Sequence, residues 1–317
     1  MAIDRLIVLA IGGNSLIRDP KHKTVADQWD ATRLTCAHIA GLIQAGYDVV
    51  VTHGNGPQVG FIVRRSELSR HELHEVPLDS CGADTQGAIG YMIQQCLANE
   101  FRRRGIAKTA ATVVTQVEVD ANDPAFGKPS KPIGSFMDEP TARARAAQEG
   151  WSIAEDAGRG WRRVVASPKP KAIVEIDAIR RLIEARCSVT AVGGGGIPVV
   201  RDANGDLRGV DAVIDKDHAS ALLARVLAAD LFVISTGVDR VCLDYGKPTQ
   251  RALSHLTLAE ARRHLAERQF APGSMGPKVE AVIDFLEHGG RKAILTVPEL
   301  LQEAVAGRAG TVIEQGE

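Results

Sequence analysis

Four glycine-bearing turns and three lysines are where this chain could do chemistry. The turns are Gly12-Gly13-Asn14-Ser15, Gly54-Asn55-Gly56-Pro57, Gly193-Gly194-Gly195-Gly196 and Gly273-Ser274-Met275-Gly276-Pro277-Lys278. Glycine lets backbone N–H groups come close to a ligand, and a following helix adds the positive end of its dipole, so such turns suit phosphate oxygens. The lysines are Lys131 in Pro129-Ser130-Lys131-Pro132-Ile133-Gly134, Lys216 in Asp215-Lys216-Asp217, and Lys278 at the end of the fourth turn. They stand out because only 11 of the 38 Lys and Arg residues are lysines. A compact ammonium is a mobile point charge that can follow a phosphoryl group from donor to acceptor. Phosphoryl transfer needs little else from a protein than in-line positioning and positive charge against the equatorial oxygens. Asp217 between two ammonium groups would keep both charged, although Asp215 and Asp217 also read as an N-cap and a surface pair.

Other chemistries fit poorly. No turn satisfies G-x-x-x-x-G-K-[ST] or G-x-G-x-x-G, which argues against a P-loop NTPase and a dinucleotide dehydrogenase. In His71-Glu72-Leu73-His74 the second histidine comes one residue too early for a zinc-binding H-E-x-x-H, and no metal site is expected. Cys36, Cys81, Cys96, Cys187 and Cys242 are odd in number, scattered and never spaced C-x-x-C, so they read as buried thiols. His53 and His218 lie near the glycine and lysine motifs and read as structural. With 38 basic against 39 acidic residues there is no global field toward nucleic acid or anionic lipid. No stretch of about 18 apolar residues appears, and Met1-Ala2-Ile3-Asp4-Arg5 leads straight into a short apolar run, so a cytoplasmic protein is expected.

The elements that must position these residues alternate between apolar strands and helical patterns. That is the signature of an α/β fold with a mainly parallel sheet covered on both faces. Strands are expected at Leu6–Ile11, Asp48–Thr52, Thr109–Thr115, Ser188–Val192, Leu231–Ser235 and Lys292–Thr296. Helices are expected at Asp27–Ala45, stopped by Gly46, and Thr85–Arg104, stopped by Gly105, with Thr257-Leu258-Ala259-Glu260 as a capping box. Three of the glycine turns then fall at carboxyl ends of strands, where open α/β sheets bind ligands. From Glu118 to about Ser167 the chain turns polar and proline-rich, an excursion from the main sheet. A chain of 317 residues has room for two modules, and no Gly/Ser linker separates them.

These motifs, in this order, resemble the carbamate kinases, a branch of the amino-acid kinase superfamily, over essentially the whole chain. The resemblance runs through Ala10-Ile11-Gly12-Gly13-Asn14, Thr52-His53-Gly54-Asn55-Gly56-Pro57-Gln58-Val59-Gly60, Thr85-Gln86-Gly87, Lys131-Pro132-Ile133-Gly134, Ser167-Pro168-Lys169-Pro170, Ala212-Val213-Ile214-Asp215-Lys216-Asp217, Tyr245-Gly246-Lys247-Pro248 and Phe270-Ala271-Pro272-Gly273-Ser274-Met275. It implies reversible, Mg²⁺-dependent transfer of the γ-phosphoryl of ATP to carbamate, giving ADP and carbamoyl phosphate, with a place in arginine metabolism. It further implies a three-layer αβα sandwich of two lobes plus a protruding subdomain. Residues 1–212 would form the carbamate-binding and homodimer-forming lobe, with 118–167 as the protruding subdomain, and 213–317 the nucleotide-binding lobe.

Carried over residue by residue, Gly12, Gly13 and Asn14 would face the phosphoryl group in flight, with Gly54 and Asn55 on the carbamate side. Lys131 would be a mobile lid charge, Lys216 and Lys278 would hold the phosphates, and Asp217 would orient lysines. Thr236, Gly237, Val238, Asp239, Tyr245, Met275 and Pro277 would wall the nucleotide pocket. Asp84 stands where relatives commonly carry an apolar residue, as a helix cap or a substrate-facing carboxylate, and Gly276 replaces a bulkier residue of some relatives, which would loosen the nucleotide loop. Two further readings stay open: a kinase for another small carboxylate on the same fold, and a nucleotide-binding sensor without the reaction.

Overall fold

A computed structural model describes residues 5–13, 16–17, 21–22, 24–156, 158 and 160–316. Its first strand, Leu6–Ile11, is buried at every position, as a strand covered on both faces must be. Leu6, Val8 and Ala10 join one apolar core and Ile7, Leu9 and Ile11 the other. Helices α1 (Val25–Gln44), α2 (Gly56–Ser69) and α3 (Leu78–Arg104) follow. Cys36, Ile39 and Leu42 of α1 and Ile89, Ile93 and Leu97 of α3 pack on the second core. A helix α4 (Glu139–Glu149) lies in the excursion. Helices α5 (Ile176–Glu184), α6 (Lys216–Val226), α7 (Leu258–Ala266) and α8 (Met275–Glu287) carry Ile179, Leu222, Ala261 and Val282 into the first core. The short α9 (Leu301–Val305) returns Leu301 and Ala304 to the second.

Between those layers lies an eight-stranded sheet in the order His255–Thr257, Thr311–Glu314, Lys292–Thr296, Leu231–Ser235, Leu6–Ile11, Asp48–His53, Ser188–Thr190, Ala110–Thr112. Its pairs are parallel except Lys292–Thr296 with Thr311–Glu314. The fold is thus a three-layer αβα sandwich with a mainly parallel sheet. Leu6–Ile11 sits at its centre, with Ile11 in register with His53 on one side and Ser235 on the other. The turns that follow these strands therefore meet at one edge.

The structure trims or extends several expected elements. Two strands stop early, at Thr112 and at Thr190, the second just before Val192 turns left-handed at φ 54° to enter the tetraglycine turn. Helix α3 starts at Leu78, seven residues before the expected Thr85; Leu78 and Cys81 of its first turns are buried in a small apolar cluster, while Ser80 and Asp84 are exposed. Gly46 and Gly105 take positive φ past their helices, and the Thr257–Glu260 capping box is formed. A four-stranded sheet of Leu207–Gly209, Ile197–Arg201, Gln116–Val119 and Pro170–Ile173 lies beside the main one. The part of the excursion that leaves both is a separate three-stranded sheet, Lys131–Met137, Trp161–Val165 and Ser152–Glu155, carrying α4.

Candidate active site

The first turn of α6 organises the site. Asp215 caps it, its Oδ1 accepting from the Asp217 N–H at 2.9 Å, which satisfies a donor the helix cannot. This places Lys216 and Asp217 at the helix start. Asp217 is 3% exposed; its Oδ1 accepts from Lys216 Nζ at 2.6 Å and its Oδ2 from Lys278 Nζ at 2.9 Å. Lys278 arrives on the first turn of α8, directly after the Gly273-Ser274 turn. Lys131, at the start of a strand of the separate small sheet, donates to Asp215 Oδ2 at 2.7 Å. Three ammonium groups thus meet two carboxylates, which leaves a surplus positive charge to attract an anion.

Burial alone would raise the Asp217 carboxyl, but Lys216 and Lys278 together hold it below the usual carboxylate range. Burial likewise opposes ionisation of Asp215, and Lys131 outweighs it. Burial pushes the Lys216 ammonium down; Asp217 pushes it back up, and Lys278 adds to the depression. Cations this close depress one another unless a carboxylate intervenes, which is what Asp217 does.

Two cavities flank this cluster. The larger, about 460 Å³, is lined by Gly12, Thr236, Gly237, Val238, Tyr245 and Met275. The smaller, about 250 Å³, is lined by Gly54, Asn55, Lys131, Asp215, Asp217 and Gly194. Gly13, Lys216 and Lys278 line both. Gly12 lets the chain pass close to the neighbouring strand, since a Cβ there would stand only 3.0 Å from the Ser235 carbonyl oxygen.

The smaller cavity rests on a buried polar scaffold. His53 is 1% exposed, and its Nδ1 lies 3.1 Å from the Gly54 carbonyl oxygen. Burial lowers its pKa to about 4, with Lys216 adding to the effect against the pull of that carbonyl. Gln86 donates to the carbonyls of Thr115 and Gly193 and accepts from the Thr115 N–H, tying α3 to the tetraglycine turn. His218, by contrast, pairs with Glu280 at 3.4 Å and lines neither cavity.

The sequence-derived set is thus largely brought together, with specific exceptions. Asp239 is exposed and lines neither cavity, because the turn after Leu231–Ser235 presents Val238 and Arg240 inward instead. Pro277 lines the smaller cavity, not the larger. Asn14 lies outside the described residues. Asp84 is neither a cap nor a lining residue: it is exposed within α3, whose N-terminus lies at Leu78. Gly276 does not loosen its loop, since its N–H donates to the Ala271 carbonyl at 2.9 Å and a Cβ would stand 3.1 Å from that oxygen. Of the cysteines, Cys36, Cys81 and Cys96 are buried, whereas Cys187 and Cys242 are partly exposed, and Cys242 lines the larger cavity. Arg240, Ser274 and Gly194 are lining residues absent from the sequence-derived set. Gly194 was legible as part of a glycine run; Arg240, one arginine among many, was not.

Among the described residues, no three His, Cys, Asp or Glu side chains gather as a metal cage. Both carboxylates of the cluster have each oxygen on an ammonium or a backbone N–H. A divalent ion at this site would therefore come held by the phosphate oxygens of its nucleotide.

Known proteins share this chain's sequence and fold over nearly its whole length. The chain is 51% identical over 311 residues to the carbamate kinase-like protein YahI of Escherichia coli, covering 97% of this chain and 98% of that one. It is 47% identical over 310 residues to the carbamate kinase of Thermococcus kodakarensis, again covering 97% and 98%. The structure matches carbamate kinase from Giardia lamblia bound to AMP-PNP with a TM-score of 0.93 and 41% identity over 100% of both chains. The amino acid kinase family model matches residues 5–296. This chain belongs to the amino acid kinase family, within its carbamate kinase branch.

Proposed function

We propose that this protein is a carbamate kinase, transferring the γ-phosphoryl of ATP to carbamate and the reverse. The observation that carries this reading is the position of Lys216 and Lys278, which share Asp217 and line both cavities. A group passing from one cavity to the other must pass these two ammoniums and Gly13. We assign the larger cavity to ATP or ADP, with Thr236, Gly237, Val238, Tyr245 and Met275 as its wall, and the smaller to carbamate, with Gly54 and Asn55.

In the transfer, Lys216 and Lys278 neutralise the equatorial oxygens as the bond to the leaving oxygen of ADP breaks and that to the carbamate oxygen forms. Backbone N–H groups at Gly12 and Gly13 add fixed dipoles. Lys131 approaches from the acceptor side on the small sheet. Asp217 orients the lysines through one oxygen each. Carbamate is already an anion, so no general base is required, in keeping with the deep burial and low basicity of His53. Mg²⁺ enters with the nucleotide as part of that substrate, offsetting β- and γ-phosphate charge.

Residues 1–212 serve as the acceptor and dimer-forming lobe and 213–317 as the nucleotide lobe, each supplying four strands to the main sheet. We assign a homodimer to the edge ending in Ala110–Thr112, near which Tyr91 and Val114 are more than half exposed. Free ATP and carbamoyl phosphate place the reaction in the cytoplasm, and supply of carbamoyl phosphate by arginine breakdown would drive it toward ATP. The test is kcat/KM with carbamate, acetate and acetylglutamate. A clear preference for carbamate supports the assignment, and preference for another carboxylate replaces it with that kinase.

A further inference from the structure

Asn55 lines the smaller cavity, yet its amide is held from behind. Its Nδ2 lies 2.8 Å from Thr85 Oγ1, and Thr85 Oγ1 lies 2.7 Å from the Gly82 carbonyl oxygen. A carbonyl oxygen can only accept, so the single hydroxyl proton of Thr85 is committed to Gly82. The hydroxyl must then accept from Asn55, which fixes the amide with its NH₂ toward Thr85. Thr85 is 0% exposed and Asn55 8% exposed, so no water competes freely for these groups. On another side the amide is confined by Gly194, where a Cβ would stand 2.2 Å from Nδ2. Among the described residues neither the second N–H nor Oδ1 of the amide makes another hydrogen bond; Nδ2 is the amide atom nearer to Gly194, which lines the smaller cavity.

We propose that Thr85 is a positioning residue for the acceptor site, fixing the orientation of the Asn55 amide so that it offers a donor, not its carbonyl oxygen, to an anionic acceptor. The inference rests on the assignment of the smaller cavity to that acceptor. Two rotations of an amide have the same shape but opposite polarity, so what distinguishes them is a hydrogen-bond partner. Only a residue whose own proton is spent elsewhere can dictate the choice. Without the Thr85 hydroxyl, the buried Nδ2 loses its acceptor and the amide can turn its oxygen toward the substrate.

The experiment is a double-mutant cycle read in ATP formation from ADP and carbamoyl phosphate. Lack of turnover by the unaltered protein would refute the functional assignment itself; all outcomes below presuppose turnover. Thr85→Val is expected to lower kcat/KM for carbamoyl phosphate about tenfold or more, the scale of a lost buried hydrogen bond, with the KM for ADP unchanged. Thr85→Ser, which keeps the hydroxyl, should stay within about threefold of the unaltered protein. In an Asn55→Ala background, Thr85→Val should change kcat/KM by less than about twofold, because its effect runs through Asn55. Equal effects of Val and Ser, or full additivity in the cycle, overturn the proposal. A second readout needs no substitution at Thr85: the Asn55 side-chain amide NMR signals, identified by their loss in Asn55→Ala, should shift on addition of carbamoyl phosphate. Signals that stay in place at saturation overturn it as well.

Discussion

Asp217 and Lys278 stand 61 residues apart in the chain, yet Oδ2 of the one and Nζ of the other are 2.9 Å apart. The same carboxylate holds Lys216 by its other oxygen. This shared carboxylate holds two half-buried ammonium groups side by side, where both line the two cavities.

Replacing that carboxylate should expose the strain between the lysines. Burial already holds the Lys216 ammonium below the ordinary lysine range, and Asp217 is what opposes the fall. The alkaline limb of the kcat profile should therefore begin below the usual lysine pKa. Asp217→Asn should move it to still lower pH and reduce kcat at neutrality by roughly 10²-fold. A pH–rate profile of both proteins checks this; an unmoved alkaline limb in the variant contradicts the role.

Lys131 lines the smaller cavity, and not the larger, from a separate small sheet, so with that cavity assigned to the acceptor its loss should weaken acceptor binding more than nucleotide binding. Lys131→Ala should raise KM for carbamate by about tenfold and leave KM for ATP within about twofold. Steady-state kinetics in both substrates decide it.

His53 should show itself in acid stability. Its folded-state pKa is about 4 against an ordinary 6.5, so between those values the unfolded chain binds the extra proton. Stability contributed by neutral His53 is then full above pH 6.5, falls as pH drops toward 4, and levels off below, a loss of roughly 3 kcal/mol. His53→Asn keeps a donor toward the Gly54 carbonyl without the titration. Its Tm should depend less steeply on pH over that window, as thermal unfolding at several pH values would show.

The tetraglycine turn makes a steric prediction. Gly194 has φ +68°, and a Cβ would stand 2.2 Å from Asn55 Nδ2, whereas Gly205, at φ +90°, has nothing within 4 Å. Ala at either position strains the backbone by about 1–3 kcal/mol. Only Gly194→Ala should also raise the carbamate KM, and comparing both variants in Tm and kinetics separates strain from displacement of Asn55.

Much of this fold was legible because its central strands are continuous apolar runs. Leu6–Ile11, Leu231–Ser235 and Lys292–Thr296 stand where their Val, Ile and Leu residues put them, and glycine marked where α1 and α3 stop. The start of α3 was hidden because Pro77, Asp79 and Gly82 look like loop residues, while the partners of the buried Leu78 and Cys81, such as Val59 and Ile133, come from distant segments. The small sheet was hidden by Pro132, which a strand tolerates when it lies at an edge, as Lys131–Met137 does. At the site, glycine turns and scarce lysines announced phosphate chemistry. That Lys216 and Lys278 share one carboxylate depends on the approach of α6 and α8, which no spacing in the sequence encodes. The Thr85–Asn55 contact was likewise invisible, since a threonine inside a helix carries no local mark of its partner.

The most direct measurement is the rate of ATP formation from ADP and carbamoyl phosphate, with Mg²⁺, in the unaltered protein and in Lys216→Met and Lys278→Met. Turnover is expected to fall roughly 10²–10³-fold in each variant, with folding retained by Tm. A drop below about tenfold in both, well short of that scale, would contradict the convergence of these two ammonium groups on the transferring phosphoryl.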